Sequence, residues 1–241
     1  MQSPEQTSDD ELQRLQDELS GRAKDDARAR WRRRLWNFTV VGTYRVKRLL
    51  DLVGSGIGII LLSPLFVVIA LAVKLTSPGS IIFAQIRVGR DGRHFRFYKF
   101  RSMYRDAEAR KAQLLSQNQS ADGVIFKMKD DPRITPVGKW LRKFSLDELP
   151  QLFNVFLGDM SLVGPRPPVP SEVREYTLED RKRLNVIPGI TCIWQVSGRS
   201  DIPFHQQVQL DKDYIRHHGL WGDIKLLLQT IPAILTGKGA Y

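Results

Sequence analysis

Cysteine is almost absent from this 241-residue chain: Cys192 stands alone, which excludes an internal disulfide and any cysteine-cluster metal site and fits a reducing compartment. Histidine is scarce too. His94, His205, His217 and His218 include one adjacent pair, and neighbours on a chain rarely converge on one ion. No Walker loop, dinucleotide fingerprint or internal repeat occurs. Acids are outnumbered, 26 against 37 Lys and Arg, and between Arg28 and Arg48 there are none. The formal charge of +11 and pI near 9.9 favour an anionic partner, whether nucleic acid, phospholipid headgroups or a phosphorylated substrate.

Long apolar runs are equally rare; Leu52 to Val73 is the one strongly apolar stretch. Its length, about twenty residues, suffices to cross a bilayer. The basic run before it is interleaved with Trp31, Trp36, Phe38 and Tyr44, a mixture that suits nucleic acid in isolation and a membrane surface in this context. Three features argue against a simple crossing: the glycines Gly54, Gly56 and Gly58, the central Ser63-Pro64, and positive charge on both flanks. Proline in mid-helix removes a hydrogen bond and bends the axis, and a neighbouring serine hydroxyl can take up the freed backbone group. Positive flanks keep both ends in the cytoplasm, so the pattern predicts a kinked helix that enters and leaves by one face. The stretch begins far from Met1 and has no small-residue cleavage site, unlike a signal peptide.

The first 26 or so residues are polar and acidic, with Leu12, Leu15 and Leu19 at helical spacing. After the apolar stretch, Asp91-Gly92 predicts a hairpin turn between Ile86-Arg87-Val88 and Phe95-Arg96-Phe97-Tyr98. Helices are expected over Asp106 to Gln117, Pro136 to Lys143, Glu172 to Asn185, Gln206 to Arg216 and Leu220 to Ile231. Pro188-Gly189-Ile190-Thr191 reads as a turn.

Chemistry is concentrated in Ser145-Leu146-Asp147-Glu148-Leu149-Pro150-Gln151-Leu152. Ser145 and Glu148 have capping-box spacing and Pro150 suits a first turn, so the two acids read either as complements to a helix N-terminus or as something sharper. A carboxylate beside arginines at such a terminus stays ionised, and phosphate oxygens can be received there as well, which suggests an acyl-phosphate intermediate. In Gly164-Pro165-Arg166-Pro167-Pro168, prolines on both sides leave Arg166 little freedom to lose on binding an anion.

These pieces, together with Lys47-Arg48-Leu49-Leu50-Asp51, Ser63-Pro64 and Tyr98-Lys99-Phe100-Arg101-Ser102-Met103, resemble the monotopic phosphoglycosyl transferases, bacterial sugar transferases that begin exopolysaccharide assembly. The resemblance runs from about Arg45 to the C-terminus and departs at Cys192-Ile193. It implies an α/β fold, mostly helical, with an extension over 1–44, a re-entrant membrane helix over 45–75 and a cytosolic catalytic domain over 76–241 lying on the membrane through interfacial amphipathic helices. The implied reaction moves a hexose 1-phosphate, galactose or glucose, from a UDP-sugar to undecaprenyl phosphate with Mg2+, at the cytoplasmic face of the inner membrane.

By the same resemblance Asp147 is the nucleophile and Glu148 helps hold magnesium, with Lys99, Arg101, Arg142 and Arg166 around the diphosphate. Gln195, Arg199 and Asp211 are further candidates for nucleotide, sugar or structural contacts. Ser63 and Pro64 turn the membrane helix back, and Arg48 and Asp51 anchor it at the interface. A short exopolysaccharide-type member is expected, without the extra membrane helices of long members and with no nucleic-acid partner. A second copy of the chain or other polysaccharide assembly proteins are left open as partners. The alternative is a non-catalytic membrane scaffold of a polysaccharide machine.

Overall fold

The computed structural model describes residues 42, 44–114, 118, 128, 130–217, 219–237 and 239. The acidic-then-basic N-terminal stretch lies almost wholly outside them, as does the end of the helix expected to reach Gln117.

The apolar stretch forms helix α1, Tyr44–Thr76, whose most apolar 18 residues have a mean hydropathy of 2.7. By length and composition it is able to cross a membrane. It stays helical through Ser63-Pro64. Pro64 has no N–H for the Ile60 carbonyl, and the Ser63 hydroxyl donates to that oxygen instead, at 2.8 Å.

Both halves of α1 touch the body that follows. In the first half the glycines admit side chains: a Cβ at Gly54 would lie 2.8 Å from Leu162, and one at Gly58 would lie 3.3 Å from Leu152. In the second half Ile69 and Val73 are buried with Phe100 and Leu141. Residues from Lys47 onward accordingly belong to one compact unit with the rest of the chain.

Strands β1 (Ile82–Val88) and β2 (His94–Phe100) form an antiparallel hairpin. Its turn uses Asp91 and Gly92, both at positive φ, as the Asp-Gly pair predicts. Helix α2 (Ala107–Leu114) follows. Helix α3 (Pro136–Lys143) matches the expected bounds, because Thr135 caps it by accepting from Gly138 N at 2.9 Å and Pro136 suits its first turn. Helix α4 (Gln151–Leu157) ends at Gly158, whose φ of 98° favours glycine.

The rest is built of short pieces: β3 (Ser161–Val163), α5 (Pro170–Arg174), β4 (Gly189–Thr191) and α6 (Ile193–Ser197), then the longer α7 (Phe204–His217) and α8 (Leu220–Thr236). β3 pairs with β4 in parallel. Two expectations fail here. Glu172 to Asn185 is not one helix, because Tyr176 turns into the interior and Thr177 pairs with Asp180 to start a separate 3-10 segment, Asp180–Asn185. Gly189-Ile190-Thr191 is a strand rather than a turn; Gly189 is needed because a Cβ there would sit 2.0 Å from Gly164 N.

One side chain joins the hairpin to α4. Fully buried Asn154 donates to Arg96 O at 2.6 Å and accepts from Tyr98 N at 3.1 Å. Asn154→Leu would leave both backbone groups unsatisfied, a cost of about 2–4 kcal/mol. Thermal unfolding of the detergent-solubilised protein should shift down by about 5–15 °C; an unchanged midpoint would show that apolar packing alone docks α4.

Candidate active site

The carboxylate pair occupies neither a capping box nor an α-helix. Ser145 adopts a left-handed conformation, φ 53° and ψ 21°, which stops α3 and redirects the chain into a 3-10 turn, Leu146–Glu148. α4 begins only after Pro150, with no side-chain cap. The reason lies in longer-range partners that outcompete the local cap. The Ser145 hydroxyl accepts from Arg199 Nη2, and Glu148 is drawn to cations.

Those cations come from distant parts of the chain. Lys99 Nζ on β2 donates to Glu148 Oε1 at 2.5 Å and lies 3.5 Å from Asp147 Oδ2. Arg166 Nη1 reaches the same Glu148 oxygen at 3.1 Å. Burial works to raise the Glu148 carboxyl, but Lys99 and Arg166 overcome it and hold the group well below the ordinary carboxylate range. In return Glu148 raises the Arg166 guanidinium against the opposite pull of burial. Asp147 is 5% exposed.

Arg166 is rigid for the reason its neighbours suggest. All three proline carbonyls around it are bonded: Pro165 O to Gly189 N at 2.9 Å, Pro167 O to Arg87 Nη1 at 3.0 Å, and Pro168 O to Val88 N at 2.9 Å. Arg87, which sequence reasoning passed over, therefore positions this loop while its guanidinium lies 5.1 Å from the Phe97 ring centroid. Burial and the charge of Arg166 lower it to about 10.

A cleft of about 1070 Å³ opens over the pair. Lys99, Arg142, Arg166, Gln195 and Arg199 line it with Asp147 and Glu148, so the fold brings together most of the residues singled out from sequence. Arg199, at φ 56°, buries its Nη1 with no hydrogen-bond partner among the described residues, a donor left over at the cleft wall. Gln195 accepts from the Cys192 thiol at 3.2 Å. That thiol is fully buried, and burial pushes it well up.

Other expectations change. Arg101 borders the cleft, but its Nη2 donates to Ser77 O at 2.6 Å and Ser77 Oγ at 2.7 Å, so it fastens the end of α1 to the hairpin rather than standing free for phosphate. Of the alternatives open for Asp211 the structural contact is the one present: fully buried, it pairs with Arg183, which also donates to Tyr176 Oη at 2.7 Å. Burial pushes the Asp211 carboxyl up to about 6 while Arg183 pulls it down. Arg48 caps α4, donating to Val155 O at 2.6 Å and Phe156 O at 2.8 Å, and Asp51 accepts from Ser161 Oγ at 3.0 Å and Leu162 N at 2.9 Å. Beside them Lys47 pairs with Asp223, which also accepts from Tyr214 at 2.9 Å. Arg183, Asn154 and Asp223 carry no local signal, since each depends on partners far away in sequence.

No group of three or more His, Cys, Asp or Glu gathers among the described residues. Magnesium does not need one: it binds through one or two carboxylates and completes its shell with water and substrate phosphates. Asp147 and Glu148, adjacent and bordering an open cleft, fit that requirement. Both cation contacts on Glu148 fall on Oε1, which leaves Oε2 for an ion.

The family described as bacterial sugar transferase matches residues 42–237. The galactosyl transferase CpsE of Streptococcus agalactiae serotype III (strain NEM316) is 50% identical over 196 residues, 80% of this chain and 43% of that protein. The undecaprenyl-phosphate galactose phosphotransferase of Salmonella typhimurium (strain LT2) is 45% identical over 200 residues, 81% of this chain and 42% of that protein. This chain thus spans less than half the length of these two. It covers 88% of the exopolysaccharide production protein ExoY of Rhizobium meliloti (strain 1021), at 37% identity over 198 residues.

The Arg183–Asp211 pair yields a stability prediction. Arg183→Met leaves a buried acid unpaired and should cost about 3–5 kcal/mol, whereas Arg183→Met with Asp211→Leu should recover most of that loss. Thermal melts of the single and double variants check it, and equal melting points for the two would show that the pair is not coupled.

Proposed function

From the membership of this chain in the bacterial sugar transferase family, we propose that it moves a hexose 1-phosphate, from UDP-galactose or UDP-glucose, onto undecaprenyl phosphate. The observation that carries this reading is the buried Asp147 beside a Glu148 kept ionised by Lys99 and Arg166, at the border of a cleft large enough for a nucleotide sugar. A non-catalytic scaffold has no use for a compensated carboxylate pair facing such a space.

The chemistry proceeds in two displacements. An Asp147 carboxylate oxygen attacks the β-phosphorus of the donor; the new O–P bond forms as the bond to the bridging oxygen breaks, and UMP leaves with that electron pair. A phosphate oxygen of the lipid then attacks the same phosphorus, forming the diphosphate link and returning the carboxylate. Lys99, Arg166, Arg142 and Arg199 orient the phosphates and balance their charge; in phosphoryl transfer positioning and charge are most of the catalysis. Magnesium, held by Glu148 with Asp147, would neutralise charge on the transferring group.

The membrane arrangement belongs to the same proposal. A straight 33-residue helix is about 50 Å long, and the hydrocarbon core is about 30 Å thick. A helix crossing that core would carry one end away from a body on the other side, yet both halves of α1 pack on the same body. This favours re-entry from the cytoplasmic face of the inner membrane, with the active site at headgroup level, where the lipid phosphate resides.

UMP release from a panel of UDP-sugars, with magnesium and undecaprenyl phosphate, tests the reaction. Asp147→Asn should lower the rate on the order of 10³-fold or more, and the absence of UMP from every donor with the unaltered protein would overturn the proposal. Lys99→Met should lower kcat/KM about 100-fold. It should also move the acid limb of the pH profile upward: Glu148 is depressed, so removing a cation lifts its pKa and the ionised form is lost at higher pH. An unmoved limb would separate Lys99 from Glu148.

A further inference from the structure

The cleft lining divides by chemistry. One group, Trp194, Gln195, Arg199 and Phe204, is polar and aromatic; another, Gly79, Ser80, Ile82 and Phe83, comes from the junction where α1 gives way to β1. Ile82 is 38% and Phe83 46% exposed, two apolar side chains left in water at a cleft otherwise rich in cations. Ile81, immediately before them, packs into the cluster that buries Ile69 and Val73 of α1.

Register ties this lip to the reacting groups. Phe83 pairs directly with Lys99 across the hairpin, and opposed residues project from the same face of a sheet. Lys99 is the cation that contacts both Asp147 and Glu148. The lip is also held in place: Ser80 Oγ donates to Ile82 O at 2.7 Å, Arg101 N to Ile81 O at 2.9 Å, and the Arg101 guanidinium to Ser77. Arg105 also lines the cleft, next to the Gly79 turn; it is exposed and makes no hydrogen bond or ion pair with a described residue.

An exposed apolar lip continuous with the long apolar helix, an arginine with no partner among the described residues beside it and a buried carboxylate beyond describe the negative image of an amphiphile with one phosphate. We infer that Phe83, on the Lys99 face of the hairpin, receives the first isoprene unit of the polyprenyl phosphate acceptor, with Ile82 at the start of β1 flanking it on the α1 side, and that Arg105 meets its phosphate on the way to Lys99 and Asp147. This rests on the transfer reading above and adds to it the route of the second substrate. An apolar contact of this size is worth about tenfold or more in affinity.

Two measurements test it. A polyprenyl phosphate carrying a diazirine in its first isoprene unit, photolysed with the full chain in nanodiscs, should label the peptide containing Ile82 and Phe83, and excess undecaprenyl phosphate should suppress the label. Labelling confined to the Trp194–Phe204 region or to α8, or none at all, overturns the inference. In steady state Phe83→Ser should raise KM for undecaprenyl phosphate about tenfold or more, while the stoichiometric UMP burst without acceptor reports on the fold and on the donor side. A burst that falls in step with acceptor turnover overturns the lip as an acceptor contact. Labelling at the lip by a protein that releases no UMP from any donor would uphold the lipid site and sink the transfer reading, so the two failures are distinguishable.

Discussion

Two carboxylates on neighbouring residues, both withdrawn from water, repel each other and lose hydration, a cost that cations brought to them offset. Glu148 receives Lys99 and Arg166 on one oxygen, and Asp147 shares Lys99. Much of the architecture around the pair serves that meeting. Asn154 docks α4 on β2 so that Lys99 lies over the 3-10 turn, and three bonded proline carbonyls hold the Arg166 loop. The left-handed Ser145 points the acids out of the path of α3, and Arg199 secures its hydroxyl.

A second group of polar contacts joins α1 to the body. Lys47 to Asp223, Arg48 to the end of α4 and Asp51 to β3 all lie just before the apolar run of the helix. Polar groups in such a helix are costly unless paired, and each pairing here is to the globular part rather than to another position on the helix. The helix is therefore part of the fold of the body that follows it, not a tether added to it. Its last turns share a core cluster with Phe100, one residue beyond Lys99, so the placement of the helix and the position of the site are mechanically linked.

The cleft inherits two kinds of wall from this arrangement. Residues after β4 contribute aromatic rings, amides and arginines, while the α1–β1 junction contributes exposed apolar side chains. The proposed reaction, two displacements at one phosphorus, needs both partners to reach the same carboxylate in turn, and a cleft with both kinds of wall beside Asp147 would meet that need.

Local rules were enough to read α1, α3, the Asp91-Gly92 hairpin and the long α7 and α8, because periodicity, caps and turn residues act within a few positions. They also identified Asp147, Glu148 and Arg166 as groups of interest, since adjacent acids and a proline-flanked arginine stand out in any chain. Tertiary structure decided the rest. It turned the capping box into a 3-10 turn, cut the charged segment after Glu172 at Tyr176, assigned Arg101 to Ser77 and Asp211 to Arg183, and recruited Arg87 to the Arg166 loop. Each of these outcomes depends on partners that local patterning cannot pair: a charged or polar side chain takes whichever counterpart burial leaves nearest, and in a low-dielectric interior that contact outweighs the few tenths of a kcal/mol, up to about one, that local preferences supply.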